Sequence, residues 1–220
     1  EAMDSEVCAV LLEPIQGEGG VNVPPEGYLA AARDLCDKHG ALLLFDEIQT
    51  GIGRTGKWFA FEHTGIKPDI MSIGKGLGGG FPMGAFLAAE RVAHAFSAGD
   101  HGSTFGGSAL ACAAANTVLE VLARENVLDN VVKMGGYLKG RLTALKEKHP
   151  RLIKEVRGQG LLVGAELYGP GKSVAEACLE KKFILNCTAG NVLRFIPPLI
   201  VNKQEIDFAA AVLDEVLAGR

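Results

Sequence analysis

Five apolar residues in succession, Ala41-Leu42-Leu43-Leu44-Phe45, constrain the fold of this chain more than any other stretch. A run with no polar alternation reads as a strand buried on both faces, the central strand of a parallel sheet. What precedes it supports the reading. Residues 7–12 form a second apolar strand segment, residues 13–25 a glycine- and proline-rich loop, and residues 26–39 carry helical spacing closed by Gly40. Strand, helix, strand predicts a right-handed crossover in a parallel sheet. The strand at 7–12 is itself so apolar that it calls for neighbours on both sides. Asp46 falls at the C-terminal end of the central strand, where open α/β sheets bind their ligands. A cap or turn role is the ordinary alternative for an aspartate there.

Lys75 is the second informative residue. It lies in Ser72-Ile73-Gly74-Lys75-Gly76-Leu77-Gly78-Gly79-Gly80, between a short apolar strand near 69–73 and a cluster of glycines. The glycines let the backbone approach a partner closely. A lysine in that setting is expected to be partly desolvated and nucleophilic, and it suits Schiff-base chemistry with an aldehyde. The competing reading is a solvated loop lysine, the usual fate of the residue. A strand-end aspartate and a strand-end lysine in one sheet can meet the two ends of a pyridoxal phosphate ring. The carboxylate would keep the ring nitrogen protonated.

At 220 residues and 48% hydrophobic, the chain can bury a sizeable core. Further strand signals fall at 84–88, 152–157, 160–167 and 192–196. Helical spacing falls at 90–96, 172–181 and 203–217, and from Ser108 to His149 with a break near 125–126. The change of character predicts an α/β organisation in two parts. Residues 1–125 read as part of a large domain with a parallel-rich sheet, and residues 126–220 as a small C-terminal α+β domain. A net charge of −4 without a basic stripe argues against nucleic acid. The apolar runs are too short to span a membrane, and no signal peptide is visible. Cys8, Cys36, Cys112, Cys178 and Cys187 are scattered and odd in number. They read as reduced thiols of a cytoplasmic protein, not as a disulfide frame or metal site. The abrupt opening at Glu1 suggests a piece of a longer protein.

Five segments then occur in order. They are Glu13-Pro14-Ile15-Gln16-Gly17-Glu18-Gly19-Gly20; Phe45-Asp46-Glu47-Ile48-Gln49-Thr50-Gly51 with Gly53-Arg54-Thr55-Gly56; the Lys75 segment from Ile73 to Gly80; His101-Gly102-Ser103-Thr104-Phe105-Gly106-Gly107; and Leu193-Arg194-Phe195-Ile196-Pro197-Pro198-Leu199. With these motifs the chain resembles the C-terminal half of class III (ornithine/acetylornithine-type) pyridoxal-phosphate aminotransferases, most closely the acetylornithine branch. The resemblance implies the fold type I architecture of pyridoxal-phosphate transferases. It also implies transfer of the amino group of N-acetylornithine to 2-oxoglutarate, in arginine biosynthesis, by a ping-pong route.

The same resemblance implies the roles of single residues. Lys75 is the catalytic Schiff-base lysine, Asp46 pairs with the ring nitrogen, and Gln49 lies near the phenolic oxygen. Thr104 reaches the phosphate of a neighbouring subunit's cofactor, so a homodimer would share its active sites. Arg194 grips the α-carboxylate of 2-oxoglutarate or glutamate. Glu18 neutralises Arg194 when the basic substrate is bound; the alternative is a solvated loop carboxylate. Arg54 reads as a structural ion-pair partner, Trp58, Phe59 and Phe61 as loop packing, and Glu13 and Glu47 as residues that hold neighbouring loops. The alternatives are an ornithine, succinylornithine or 4-aminobutyrate aminotransferase on the same scaffold, or a catalytically inert dimer-forming module.

Overall fold

The structure is a computed structural model that describes residues 3–220; Glu1 and Ala2 lie outside the described residues. The chain divides into two compact units. The first comprises the described residues up to Pro14, together with Pro24–Ile52 and Lys57–Glu125. The second comprises Ile15–Val23, Gly53–Gly56 and Asn126–Arg220.

The first unit is built on a four-stranded sheet of order β1-β2-β3-β4, with β1 at Ala9–Leu12, β2 at Leu42–Asp46, β3 at Ile70–Ile73 and β4 at Ala85–Ala88. β1, β2 and β3 run parallel and β4 is antiparallel to β3. Helix α1, Tyr28–His39, makes the crossover from β1 to β2. It ends where Gly40 turns left-handed at φ 69° and its N–H reaches Asp37 and Cys36. Leu43 and Phe45 of β2 are fully buried against Leu29 and Cys36 of α1. A strand with this much apolar surface is stabilised mainly by that burial. Asp69 pins the sheet: it accepts the Leu43 N–H at 2.8 Å and pairs with Arg33 at 2.9 Å and with Arg91. Burial pushes the Asp69 carboxyl up, but the Leu43 amide and the two guanidinium groups outweigh burial and hold it below its ordinary value.

Two expectations change here. β1 is an edge strand among the described residues, and Leu11 on it is exposed; the second neighbour that its apolar sequence called for is not among them. The helix expected over 90–96 is a single turn, α2, Glu90–Ala93, because its capping backbone closes at His94. Helix α3 spans Ala109–Arg124.

The second unit holds an antiparallel sheet of order β5-β6-β8-β7. Its strands are β5 at Ile153–Gln159, β6 at Leu162–Leu167, β7 at Asn186–Thr188 and β8 at Val192–Phe195. Helix α4, Val127–Lys148, packs on β5 and β6 and against α6, Lys203–Ala218, while α5, Lys172–Glu180, packs on α6. Leu142, Leu162, Val163, Leu193 and Leu213 are fully buried between these layers. The break between α3 and α4 is a left-handed Asn126 at φ 51°. Helix α6 starts at a capping box: Asn202 accepts the Glu205 N–H and Glu205 accepts the Asn202 N–H. Gly135 of α4 touches the turn between β5 and β6, where a Cβ would stand 2.3 Å from the Gly160 carbonyl oxygen. Among the described residues no helix is long and apolar enough to cross a membrane, and no cluster could hold a metal ion.

Candidate active site

The candidate residues fall into two clusters, one in each unit. In the first unit, β2 and β3 run side by side and place Asp46 opposite Ser72. Asp46 is the last residue of β2 and is half-buried. Its Oδ1 accepts the Ile48 N–H at 2.9 Å and the Ser72 hydroxyl at 3.2 Å. No hydrogen bond from the described residues reaches Oδ2, so the carboxylate is oriented through one oxygen and offers the other.

Lys75 follows Ser72 by three residues. Adjacent strands lie about 4.8 Å apart and three extended residues reach about 10 Å, so the two Cα atoms lie within about 15 Å. Lys75 opens a 3-10 turn, Lys75–Gly78, with φ 44°. That is a left-handed conformation that costs a non-glycine residue about 1–3 kcal/mol, of the kind that gathers at functional sites. The expected desolvation of Lys75 is not found among the described residues, against which the residue is exposed.

Gln49 is half-buried in the turn that leaves β2. That turn is held from beneath by Glu47, which is wholly buried. Glu47 accepts the Thr50 hydroxyl and the backbone N–H groups of Ala60 at 2.9 Å and Phe61 at 2.8 Å. Burial pushes the Glu47 carboxyl above its ordinary value, and these three hydrogen bonds only partly offset it. Glu47 thus holds a neighbouring loop, as its sequence position suggested. Phe59 and Phe61 stack with ring centroids 6.0 Å apart, and Phe61 packs on the β2 core. Thr104 lies in an exposed glycine-rich loop, and no hydrogen bond or ion pair joins its side chain to another described residue.

The second unit holds the other cluster. Arg194 on β8 donates from Nη1 to Glu18 Oε1 at 2.6 Å. The Arg194 side chain is 7% exposed and that of Glu18 is 71% exposed, so a buried cation meets a solvent-facing anion. Arg54 departs from expectation. It makes no ion pair among the described residues; its Nη1 donates to the carbonyls of Leu161 at 3.0 Å and Pro197 at 2.6 Å. With no carboxylate beside it, burial lowers its pKa to about 10, still protonated at neutral pH. A guanidinium between two carbonyls ties the β5–β6 turn to the segment that follows β8.

The sequence reading missed Arg157 and Thr188, which hold the backbone of the loop that carries Glu18. Only the register of the second sheet reveals them. Arg157 follows Glu155 by two residues on β5 and Glu166 stands opposite Glu155 on β6, so the two carboxylates flank it only once the strands are paired.

Residues 1–217 match the protein family described as Aminotransferase class-III. The chain is 50% identical over 216 residues to an acetylornithine aminotransferase of Methanocaldococcus jannaschii, a match that covers 98% of this chain and 54% of the relative. The chain therefore spans about half the length of the curated relatives it matches. Among solved structures, an acetylornithine aminotransferase from Elizabethkingia anophelis superposes with a TM-score of 0.89 at 38% identity, over 96% of this chain and 57% of that one. An ornithine aminotransferase from Toxoplasma gondii, with partial occupancy of PLP at its active site, superposes with a TM-score of 0.91 at 40% identity, over 98% of this chain and 52% of that one.

Proposed function

Because this chain belongs to the class-III aminotransferase family, we propose that it carries the catalytic lysine and the carboxylate-binding arginine of a pyridoxal-phosphate-dependent transaminase. The amino donor is N-acetylornithine and the acceptor 2-oxoglutarate, used in ping-pong order. The observation that carries this reading is the Asp46 carboxylate, held by Ser72 and Ile48 through Oδ1 with Oδ2 on offer, at the end of the strand next to the one that leads into Lys75. An oriented acceptor and a strand-end primary amine fit a pyridine aldehyde.

When bound, pyridoxal phosphate supplies the electron sink for the pair left as the substrate Cα–H bond breaks. Asp46 Oδ2 would accept the ring N–H and keep it protonated. The Gln49 side-chain amide would lie at the phenolic oxygen. Lys75 Nζ would be the base that takes the proton from the substrate Cα and holds it for return. Thr104 reaches the phosphate in a neighbouring subunit of a homodimer. Arg194 holds the α-carboxylate of the acceptor with two parallel hydrogen bonds. Glu18 pairs with Arg194 when the basic donor is bound, since an unpaired buried charge is costly. The cytoplasm, with free thiols and soluble substrates, is the compartment that suits this reading.

The test is a visible absorbance band from the protein at its natural length with cofactor, and its loss in Lys75→Ala together with a fall in transamination of about 10²–10⁴-fold or more. A band that survives Lys75→Ala would refute the assignment. For the 220-residue chain alone the expectation is weak cofactor binding, and a tight stoichiometric band would contradict that clause. The Toxoplasma gondii relative supports ornithine as the second reading. A panel of N-acetylornithine, ornithine and 4-aminobutyrate decides, and fastest turnover of ornithine would move the assignment there.

A further inference from the structure

Arg157, Gly164, Arg194 and Asn186 stand opposite one another in a single row across β5, β6, β8 and β7. Residues directly opposite in adjacent strands share a face, so the two arginines project to the same side, roughly 10 Å or two strand spacings apart. Thr188, two residues after Asn186, shares that side. The loop that carries Glu18 lies on this face. A Cβ on Gly164 would stand 3.0 Å from the Val21 side chain, so the glycine between the arginines makes room for the loop.

The loop closes on itself first. Gln16 and Asn22 pair, Gly20 and Val21 donate to the Gly17 carbonyl, and Asn22 Nδ2 donates to Gln16 and to the Gly19 carbonyl. Two side chains then grip its backbone. Thr188, 7% exposed, donates its hydroxyl to the Glu18 carbonyl. Arg157 donates from Nη2 to Gly20 at 2.7 Å and from Nε to Gly20 and Val21 at 3.1 Å, and its own position is set by Glu155 at 2.9 Å and by Glu166. The grip is needed, because Val21 is wholly buried at φ 52°, a left-handed conformation that a β-branched residue resists.

We propose that Thr188 and Arg157 are positioning residues that fix the backbone at Glu18, so that Glu18 meets or leaves Arg194 by side-chain rotation alone. One arginine of the row holds the loop's backbone and the other takes its carboxylate. This deepens, and rests on, the reading of Arg194 as the site of a substrate carboxylate for which Glu18 competes. A fixed backbone keeps the Glu18 carboxylate at high local concentration beside Arg194; a loose one dilutes it, and an external dicarboxylate gains.

Calorimetric titration of the protein at its natural length with glutarate, a dicarboxylate with no reacting group, tests this. Thr188→Val, which keeps the shape and loses the donated bond, should tighten glutarate about 3- to 10-fold, the size of one hydrogen bond. Arg157→Lys should act in the same direction. In a Glu18→Gln background, where the Glu18 carboxylate is gone, Thr188→Val should change glutarate affinity by less than about twofold. An equal factor in both backgrounds, or no change with Glu18 present, overturns the positioning role while the carboxylate site stands. If Arg194→Met leaves glutarate affinity intact, the carboxylate reading itself fails and the positioning role falls with it.

Discussion

Arg194 and Glu18 stand 176 residues apart in the chain, and Nη1 of the one lies 2.6 Å from Oε1 of the other. The arginine is buried and the glutamate largely exposed, so the pair is reached by solvent from the glutamate side. Glu18 matters here chiefly as the partner of a buried charge that is costly to leave unpaired, and the pairing is better read as control of the arginine than as a brace.

Arg194→Lys keeps the charge and loses the planar fork. On the proposed reading, KM for 2-oxoglutarate should rise roughly 10- to 100-fold, the size of a charge-assisted hydrogen bond, while KM for the amino donor moves less. Steady-state kinetics over both substrates measures it. An unchanged acceptor KM would remove Arg194 from the carboxylate site.

Gly135→Ala tests the close approach of α4 to the β5–β6 turn. The added methyl would meet the Gly160 carbonyl oxygen at 2.3 Å, and backbone cannot rotate away as a side chain can. The expected loss is at least about 1–3 kcal/mol, read as a lower urea midpoint with m unchanged. The same substitution at Gly136, whose Cβ meets nothing within 4 Å, should be neutral or stabilising by up to about 1 kcal/mol.

Asp69 and Glu47 should shape the pH profile of stability with opposite signs. Asp69 is held below its ordinary value, so the folded state binds fewer protons than the unfolded state in acid. Its contribution is complete above the unfolded pKa near 3.9 and is lost as pH falls through the depressed folded value. Glu47 is raised by burial, so the folded state keeps a proton that the unfolded chain has released. Its contribution is complete below the unfolded pKa near 4.3 and is lost as pH rises through the folded value. Urea titrations across pH 3–8 should show Asp69→Asn flattening the acid limb. Glu47→Gln should remove the decline on the neutral side; a Glu47→Gln profile parallel to the wild type would contradict the sign assigned to Glu47.

Much of the first unit was legible because its signals are local. The apolar run at 41–45 and Gly40 before it mark β2 and the end of α1, and they place Asp46 at a strand end without tertiary information. The break at 125–126 was legible from the polar Glu125-Asn126 pair within a helical pattern. β7 was not: Asn186-Cys187-Thr188 is three residues long and shows no alternation that marks a strand. Its pairing with β8 supplies what its sequence lacks. The exposure of Lys75 has no local signal, since a glycine-rich stretch fits close approach to a partner and an open loop equally well. Arg54 has no local signal for its role: its two carbonyl partners lie 107 and 143 residues away. Glu18 and Arg194 came from family resemblance, since nothing in local spacing joins them. Arg157 and Thr188 acquire meaning only through sheet register, which is set by the whole second unit.

The most direct test is to find which lysine bears the cofactor. The protein at its natural length is treated with borohydride in the presence of pyridoxal phosphate, digested, and the mass addition located by peptide mapping. The account predicts a stoichiometric addition on Lys75, abolished by Lys75→Ala and weakened by Asp46→Ala. A stoichiometric addition on any other lysine, with Lys75 unmodified, would contradict it.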